Sequence, residues 1–227
     1  MSLQHFVNER LKITSNSRPL KIVPKDKKEL QAIIKDELVR QGEDADLNFI
    51  DTSEITDMSL LFEGLYIVNI QIDEWNTSNV TDMQYMFYAK NTFNADLSHW
   101  DVSNVKTMKC MFYRCAKFNS DISKWNVSNV TDTDSMFYGC INFDSDLSGW
   151  NVSKVTDMSN MFYDCSNFSS DVSSWDVSKV GDMSNMFYGC TDFGSDLSGW
   201  NVSKVTNNRF VFRKCPKMKP KMKPKFP

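Results

Sequence analysis

Six cysteines have the widest chemical reach in this 227-residue chain. A thiolate can attack a carbonyl, pair as a disulfide or bind zinc, and each of these uses needs partners close by. Cys115, Cys140, Cys165, Cys190 and Cys215 follow one another at intervals of 25 residues, and Cys110 stands outside that series. With no C-x-x-C pair anywhere, such spacing argues against zinc, and no metal or other cofactor is expected. Stacked cysteines could approach disulfide distance, but cysteine packs as a small hydrophobe, so a buried ladder of reduced thiols is the expectation. Cys110 is the thiol singled out for reactivity.

Carboxylates recur in the same way. Asp96, Asp121, Asp146, Asp171 and Asp196 form one column, and Asp57, Asp82, Asp132, Asp157 and Asp182 most of another. Like charges stacked at strand spacing would repel, so each should accept backbone N–H bonds or meet a cation, as aspartate does at turns and helix starts. Calcium would need several oxygen ligands converging in a glycine-rich loop, which the repeat lacks. Catalysis needs an asymmetric constellation, and here the polar residues are repeated rather than focused. Only 2 histidines are present, His5 and His99. No nucleophile motif or phosphate-binding glycine loop occurs, and the expectation is a protein without catalytic activity.

Recognition is the chemistry that repetition suits. Tyr88, Tyr113, Tyr138, Tyr163 and Tyr188 each follow a Met-Phe or equivalent core pair, a position expected to face outward. Tyrosine joins an apolar body to a polar tip, so five in register make a candidate stripe for protein or glycan contact, or a stack that only stabilises the coils. Two columns vary while the core stays fixed: Asn79, Asn104, Asn129, Lys154, Lys179 and Lys204, and Glu74, His99, Lys124, Gly149, Ser174 and Gly199. Variable columns are where repeat proteins place specificity, which makes His99, Lys124, Lys154, Lys179 and Lys204 further binding candidates.

These side chains are positioned by a repeat. All 6 tryptophans, Trp75, Trp100, Trp125, Trp150, Trp175 and Trp200, keep one register. Val80 to Val205, Phe62 to Phe212 and Phe93 to Phe193 supply three more apolar rows at the same interval. A period in this range marks a unit that cannot bury its apolar face alone and stacks on copies of itself. The fold expected is an α/β repeat, a right-handed, leucine-rich-repeat-like parallel solenoid of about six coils. The tryptophan, phenylalanine and cysteine columns form its interior ladders. A short parallel strand is expected around residues 96–102 and their equivalents, and one or two turns of helix over the V-T-D-M-S-x-M-F-Y-x-C stretch. At strand spacing, six coils span on the order of 30 Å.

Residues 20–50 read as an N-terminal cap with a helix: Asp26 and Glu29 match a capping box, Leu30, Ile33, Ile34, Leu38 and Val39 share a face, and Gly42 suits the C-cap. Residues 1–19 are leader or linker, 51–215 the repeats, and 216–227 a basic Lys/Pro tail. Residues 51–207 hold 21 Asp and Glu against 9 Lys and Arg, whereas 208–227 hold eight basic residues and no acidic one. The tail KCPKMKPKMKPKFP should be extended and partly disordered, able to touch an acidic surface such as its own repeats rather than nucleic acid. No apolar run reaches the roughly 18 residues of a membrane span.

The units WNVSKVTDMSNMFYDCSNFSSDVSS and WDVSKVGDMSNMFYGCTDFGSDLSG, with the lead-in KIVPKDKKELQAII, resemble the 25-residue repeats of bacterial BspA-type surface proteins. Mycoplasma lipoprotein-like proteins carry similar repeats, long described as a domain of unknown function. The resemblance covers about residues 51–215. It implies a divergent leucine-rich repeat, display on the cell surface or secretion, and adhesion to host or neighbouring-cell proteins. The opening MSLQHFVNERLK lacks the apolar stretch of a secretory signal, which leaves a cytoplasmic location open. An intracellular interaction scaffold and a passive structural spacer are the alternatives. Neither ligand nor oligomeric state follows from the residues.

Overall fold

The computed structural model describes residues 21–227. The leader at 1–19, with His5, lies outside the described residues. Helix α1, Lys27–Gln41, opens them. The Asp26 carboxylate accepts the Glu29 N–H at 2.8 Å, the Glu29 carboxylate accepts the Lys25 N–H at 3.0 Å, and the Gly42 N–H closes the helix on the Leu38 carbonyl. Leu30, Ile33 and Ile34 are buried against the first coils, while Val39 is 83% exposed. Val39 follows Leu38 by one residue, which rotates it by about 100° off the buried stripe.

After α1 the chain winds in turns of 25 residues, each stacked on the last. Parallel bridges join Asp57 to Asp82, Asp82 to Thr107, and so on through Asp132, Asp157 and Asp182 to Asn207. Each bridge is a single residue pair, because the backbone turns immediately afterwards. In the coil beginning at Met83, the N–H groups of Met83, Tyr85, Phe87 and Ala89 donate to the carbonyls of Thr107, Lys109, Met111 and Tyr113 at 2.7–3.1 Å. The intervening N–H groups of Met86, Tyr88 and Lys90 turn back to the carbonyls three residues earlier. Two residues per coil occupy the left-handed region to make this possible. They are the series from Leu60 through Tyr85, Cys110, Ser135, Asn160 and Asn185 to Phe210, and the series from Gly64 through Ala89, Arg114, Gly139, Asp164 and Gly189 to Lys214.

That geometry displaces the expected elements. The V-T-D-M-S-x-M-F-Y-x-C stretch is not helical, because alternate N–H groups are committed to the next coil and cannot close i to i−4 bonds. Residues 96–102 carry no strand pairing either. The Asp96 carboxylate accepts the Ser98 N–H and that of Asp101 accepts the Ser103 N–H, and these local bonds bend the chain into turns. The tail at 216–227 is also ordered. Met218 and Pro224 are buried, a 3₁₀ turn covers Pro220–Met222, and the Leu197 N–H donates to the Met222 carbonyl at 2.8 Å. The methionines and prolines between the lysines supply the apolar contacts that a purely charged tail would lack, and Lys217 pairs with Asp192 at 2.6 Å.

One continuous apolar core fills the coils. Phe87, Phe112, Phe137, Phe162 and Phe187 stack ring on ring at 5.6–5.7 Å, and each also lies 3.9–4.1 Å from the phenylalanine six residues on. The tryptophans are 3–6% exposed. Each indole N–H donates to a carbonyl 28 residues back, as Trp125 does to Leu97 and Trp150 to Ile122, so its one polar atom is satisfied inside the core.

Two substitutions test this packing. Trp125→Ala removes a ring from mid-stack and should cost about 3–5 kcal/mol in chemical unfolding; an unchanged midpoint would remove tryptophan from the core. Ala89 is exposed and left-handed, with φ 57°. Ala89→Gly should therefore stabilise the protein by about 0.5–1 kcal/mol, the reverse of the usual sign.

Candidate functional site

The five tyrosines come together as one stripe. Tyr88, Tyr113, Tyr138, Tyr163 and Tyr188 stack in sequence with centroids 4.8, 4.5, 4.4 and 4.5 Å apart and interplanar angles of 20° or less. Tyr88 is exposed and the other four are half-buried. Each comes just before the left-handed residue of its coil, so the same backbone turn aims every ring the same way. Because inner rings cover one another's faces, an incoming molecule meets ring edges and hydroxyls rather than open π surfaces. Burial pushes the Tyr138 hydroxyl up to about 12, with neighbouring Tyr163 and Tyr113 adding to the shift. The Arg114 guanidinium sits 5.5 Å from the Tyr113 ring and the Lys214 ammonium 5.2 Å from that of Tyr188. These cations occupy the repeat position after tyrosine, where Ala, Gly or Asp stands in the other coils, and the sequence reading did not single them out.

The variable columns lie elsewhere on each coil, flanking the tryptophan rather than the tyrosine. His99, Lys124, Lys154, Lys179 and Lys204 are all exposed. The Asn79, Asn104 and Asn129 side chains donate to the carbonyls of Ser53, Ser78 and Ser103, linking adjacent coils. Lys154 extends the series by donating to the Asn129 side-chain oxygen at 2.7 Å. Part of this variation therefore serves stacking.

The cysteines are interior. Cys115, Cys140, Cys165 and Cys190 are fully buried, all six are free thiols, and the four donate from Sγ to the carbonyls of Phe87, Phe112, Phe137 and Phe162 at 2.9–3.0 Å. Burial raises all four thiols well above their ordinary range, and Cys215 to about 12. Cys110 occupies the first left-handed column and is 6% exposed. Burial raises its thiol too, so the microenvironment does not activate it.

Both aspartate columns accept backbone N–H bonds from the residue two positions on, Asp57 from Ser59 and Asp146 from Ser148 among them. A polar cluster not foreseen from the sequence surrounds Asp134. Lys109 pairs with it at 3.0 Å, and Ser135, Ser159 and Asn160 donate to it. Burial alone would raise that carboxyl, but these donors outweigh burial and hold it low. Asn119, Asp121, Ser123, Asp144, Ser145 and Asp146 line a shallow depression. Among the described residues no group of His, Cys, Asp and Glu is arranged to hold a metal ion, and no helix is long and apolar enough to cross a membrane.

Comparison with known proteins returns one family. The model described as "Mycoplasma protein of unknown function, DUF285" matches twice, over residues 34–146 and 118–224. No curated protein and no solved structure matches the chain.

Two expected outcomes follow from the protonation states. The buried thiols should resist iodoacetamide at neutral pH, with labelling appearing only on unfolding; rapid modification of the native protein would put them outside the core. Hydrogen bonds from the serine two residues on hold Asp96, Asp121, Asp146 and Asp196 below the ordinary carboxylate range, and for Asp171 the Ser195 hydroxyl leads. Their stabilisation is complete above the unfolded value of about 3.9 and is lost as pH falls through the lower folded values. Asp132, raised by burial, offsets part of this. The melting temperature should fall between pH 5 and pH 2.5, and a flat profile would contradict the turn-capping role.

Proposed function

The chain belongs to this family of Mycoplasma proteins of unknown function, and we propose that it is a non-catalytic binding module whose contact surface is the tyrosine stripe. The supporting observation is the continuity of that stripe: five stacked rings, partly exposed, on a backbone fixed by inter-coil hydrogen bonds. A surface already ordered before contact loses little conformational freedom on binding. Ring faces covered by neighbours are poorly placed for sugar stacking, whereas edges and hydroxyls suit a protein surface, so the partner proposed is a protein.

The finer reading is a right-handed, leucine-rich-repeat-like solenoid of BspA type. It would be displayed on or secreted from a bacterial cell and would adhere to host or neighbouring-cell proteins. It rests on the resemblance of the repeats. The second reading, an intracellular interaction scaffold, is favoured by six free thiols, which suit a reducing compartment.

The test is binding to immobilised extracellular-matrix protein by the wild type and by two double variants. Tyr138→Ser with Tyr163→Ser should abolish most of the signal, with a modestly lowered melting temperature. Tyr138→Phe with Tyr163→Phe keeps the stack and should weaken binding through the lost hydroxyls alone. Undiminished binding by the serine double variant, with the fold intact, would reject the stripe. Protease treatment of intact cells separates the two locations: digestion places the protein outside, and protection until lysis favours the scaffold.

A further inference from the structure

The hydrogen bonds that stack the tyrosine-bearing segments run in one direction, N–H from one coil to C=O of the next, so that segment has a donor face and an acceptor face. At the N-terminal end the acceptor face meets side-chain donors. Lys27 of α1 donates to the Ser59 carbonyl at 3.2 Å, and Gln31 to that of Leu61 at 3.4 Å. At the C-terminal end the donor face has no such complement. Asn208, Phe210, Phe212 and Lys214 stand where Met183, Asn185, Phe187 and Gly189 stand one coil earlier. The earlier four donate to Asn207, Arg209, Val211 and Arg213, but the N–H groups of the later four find no acceptor among the described residues.

This edge is held in the conformation of the paired coils. Phe210 and Lys214 keep the left-handed geometry, with φ 61° and 58°, and the Arg213 N–H still turns back to the Phe210 carbonyl at 3.0 Å. Cations border it. The Arg209 and Arg213 guanidinium groups lie 4.7 and 4.9 Å from the Phe210 ring, and the Lys223 ammonium 5.5 Å from that of Phe212. Asn208, Arg209, Phe210, Arg213 and Lys214 are exposed.

We propose that this edge is a docking site for an acidic peptide segment, whose carboxylates accept from the N–H groups of residues 208, 210, 212 and 214 and face Arg209 and Arg213. An ordinary strand edge offers donors and acceptors together and pairs with almost any strand. Here the donors stand alone, so the complement must be acceptor-only, and carboxylate is the side chain of that kind. The opposite end of the stack shows the converse solution, an acceptor face completed by side-chain donors. A second copy fits less well: two such edges would oppose donor to donor and cation to cation, and on the acceptor face of another copy the Ser59 and Leu61 carbonyls are already met by α1 side chains. In an extended peptide alternate side chains share one face, so acidic groups at every second residue can all be turned toward this edge. The site is separate from the tyrosine stripe and does not depend on its role.

The probe is an acetylated and amidated octapeptide of alternating Glu and Thr, titrated by fluorescence anisotropy with amide hydrogen exchange followed at each residue. Slowed exchange at Asn208, Phe210, Phe212 and Lys214 on saturation is expected. A Gln and Thr peptide, or Arg209→Ala with Arg213→Ala in a folded protein, should weaken binding at least about tenfold. Absence of binding would overturn the proposal, as would binding that leaves those four amides unprotected. Protection that grows with protein concentration in the absence of peptide would overturn it in favour of a second copy.

Discussion

Alternate backbone N–H groups in one segment of each coil from Met83 to Gly189 are spent on the coil that follows, and the rest of the molecule accommodates that commitment. The segment cannot be a helix, since its donors are used elsewhere. It cannot be an ordinary strand, since the intervening groups fold back into turns. Satisfying both sets requires two left-handed residues per coil, most of them not glycine. Each costs on the order of 1 kcal/mol, a strain that survives only because the inter-coil bonds and the buried rings over-determine the backbone.

The same commitment explains the surface. A turn repeated without change carries whatever side chain precedes its second left-handed residue to the same place every coil, and in five coils that side chain is tyrosine. Aspartate and asparagine perform the complementary task between the segments, bending the chain by accepting the N–H two residues on. Charge therefore accumulates along the stack with few ion pairs, Lys109–Asp134 and Lys217–Asp192 among them, because the column carboxylates meet backbone donors. The indole and thiol columns follow the same logic inside, where every polar atom has a carbonyl of the preceding coil to meet.

Much of this was legible in the sequence because identity at fixed intervals is a stronger signal than any local propensity. Six tryptophans in one register identify an interior column irrespective of what lies between them. The local conformation was less accessible. Apolar spacing in V-T-D-M-S-x-M-F-Y-x-C mimics a helix, since a turn that returns every two residues also sends Val, Met and Phe inward at short intervals. Nothing in residues such as Tyr85, Cys110 or Ser135 announces a positive φ, a conformation usually marked by glycine or asparagine. The tail misled for the opposite reason: its charge and proline content outweighed the methionines that anchor it. Of the candidate contact residues, the tyrosines could be named but not their mutual stacking. The open donor edge could not be seen at all, because it is a property of the backbone.

Columns that run unbroken through the stack also fix how the gene encoding it can change in length. An insertion or deletion of one or two residues would throw the rings, indoles and thiols of every later coil out of alignment with those before it. Removal or gain of a whole unit leaves each interface as it was. Neighbouring units such as those at Trp150 and Trp175 share 17 of 25 residues, and similarity between neighbours favours unequal recombination that exchanges whole copies. Length is thus quantised by this architecture: with α1 and the C-terminal tail held as they are, the distance between them can change only by whole coils.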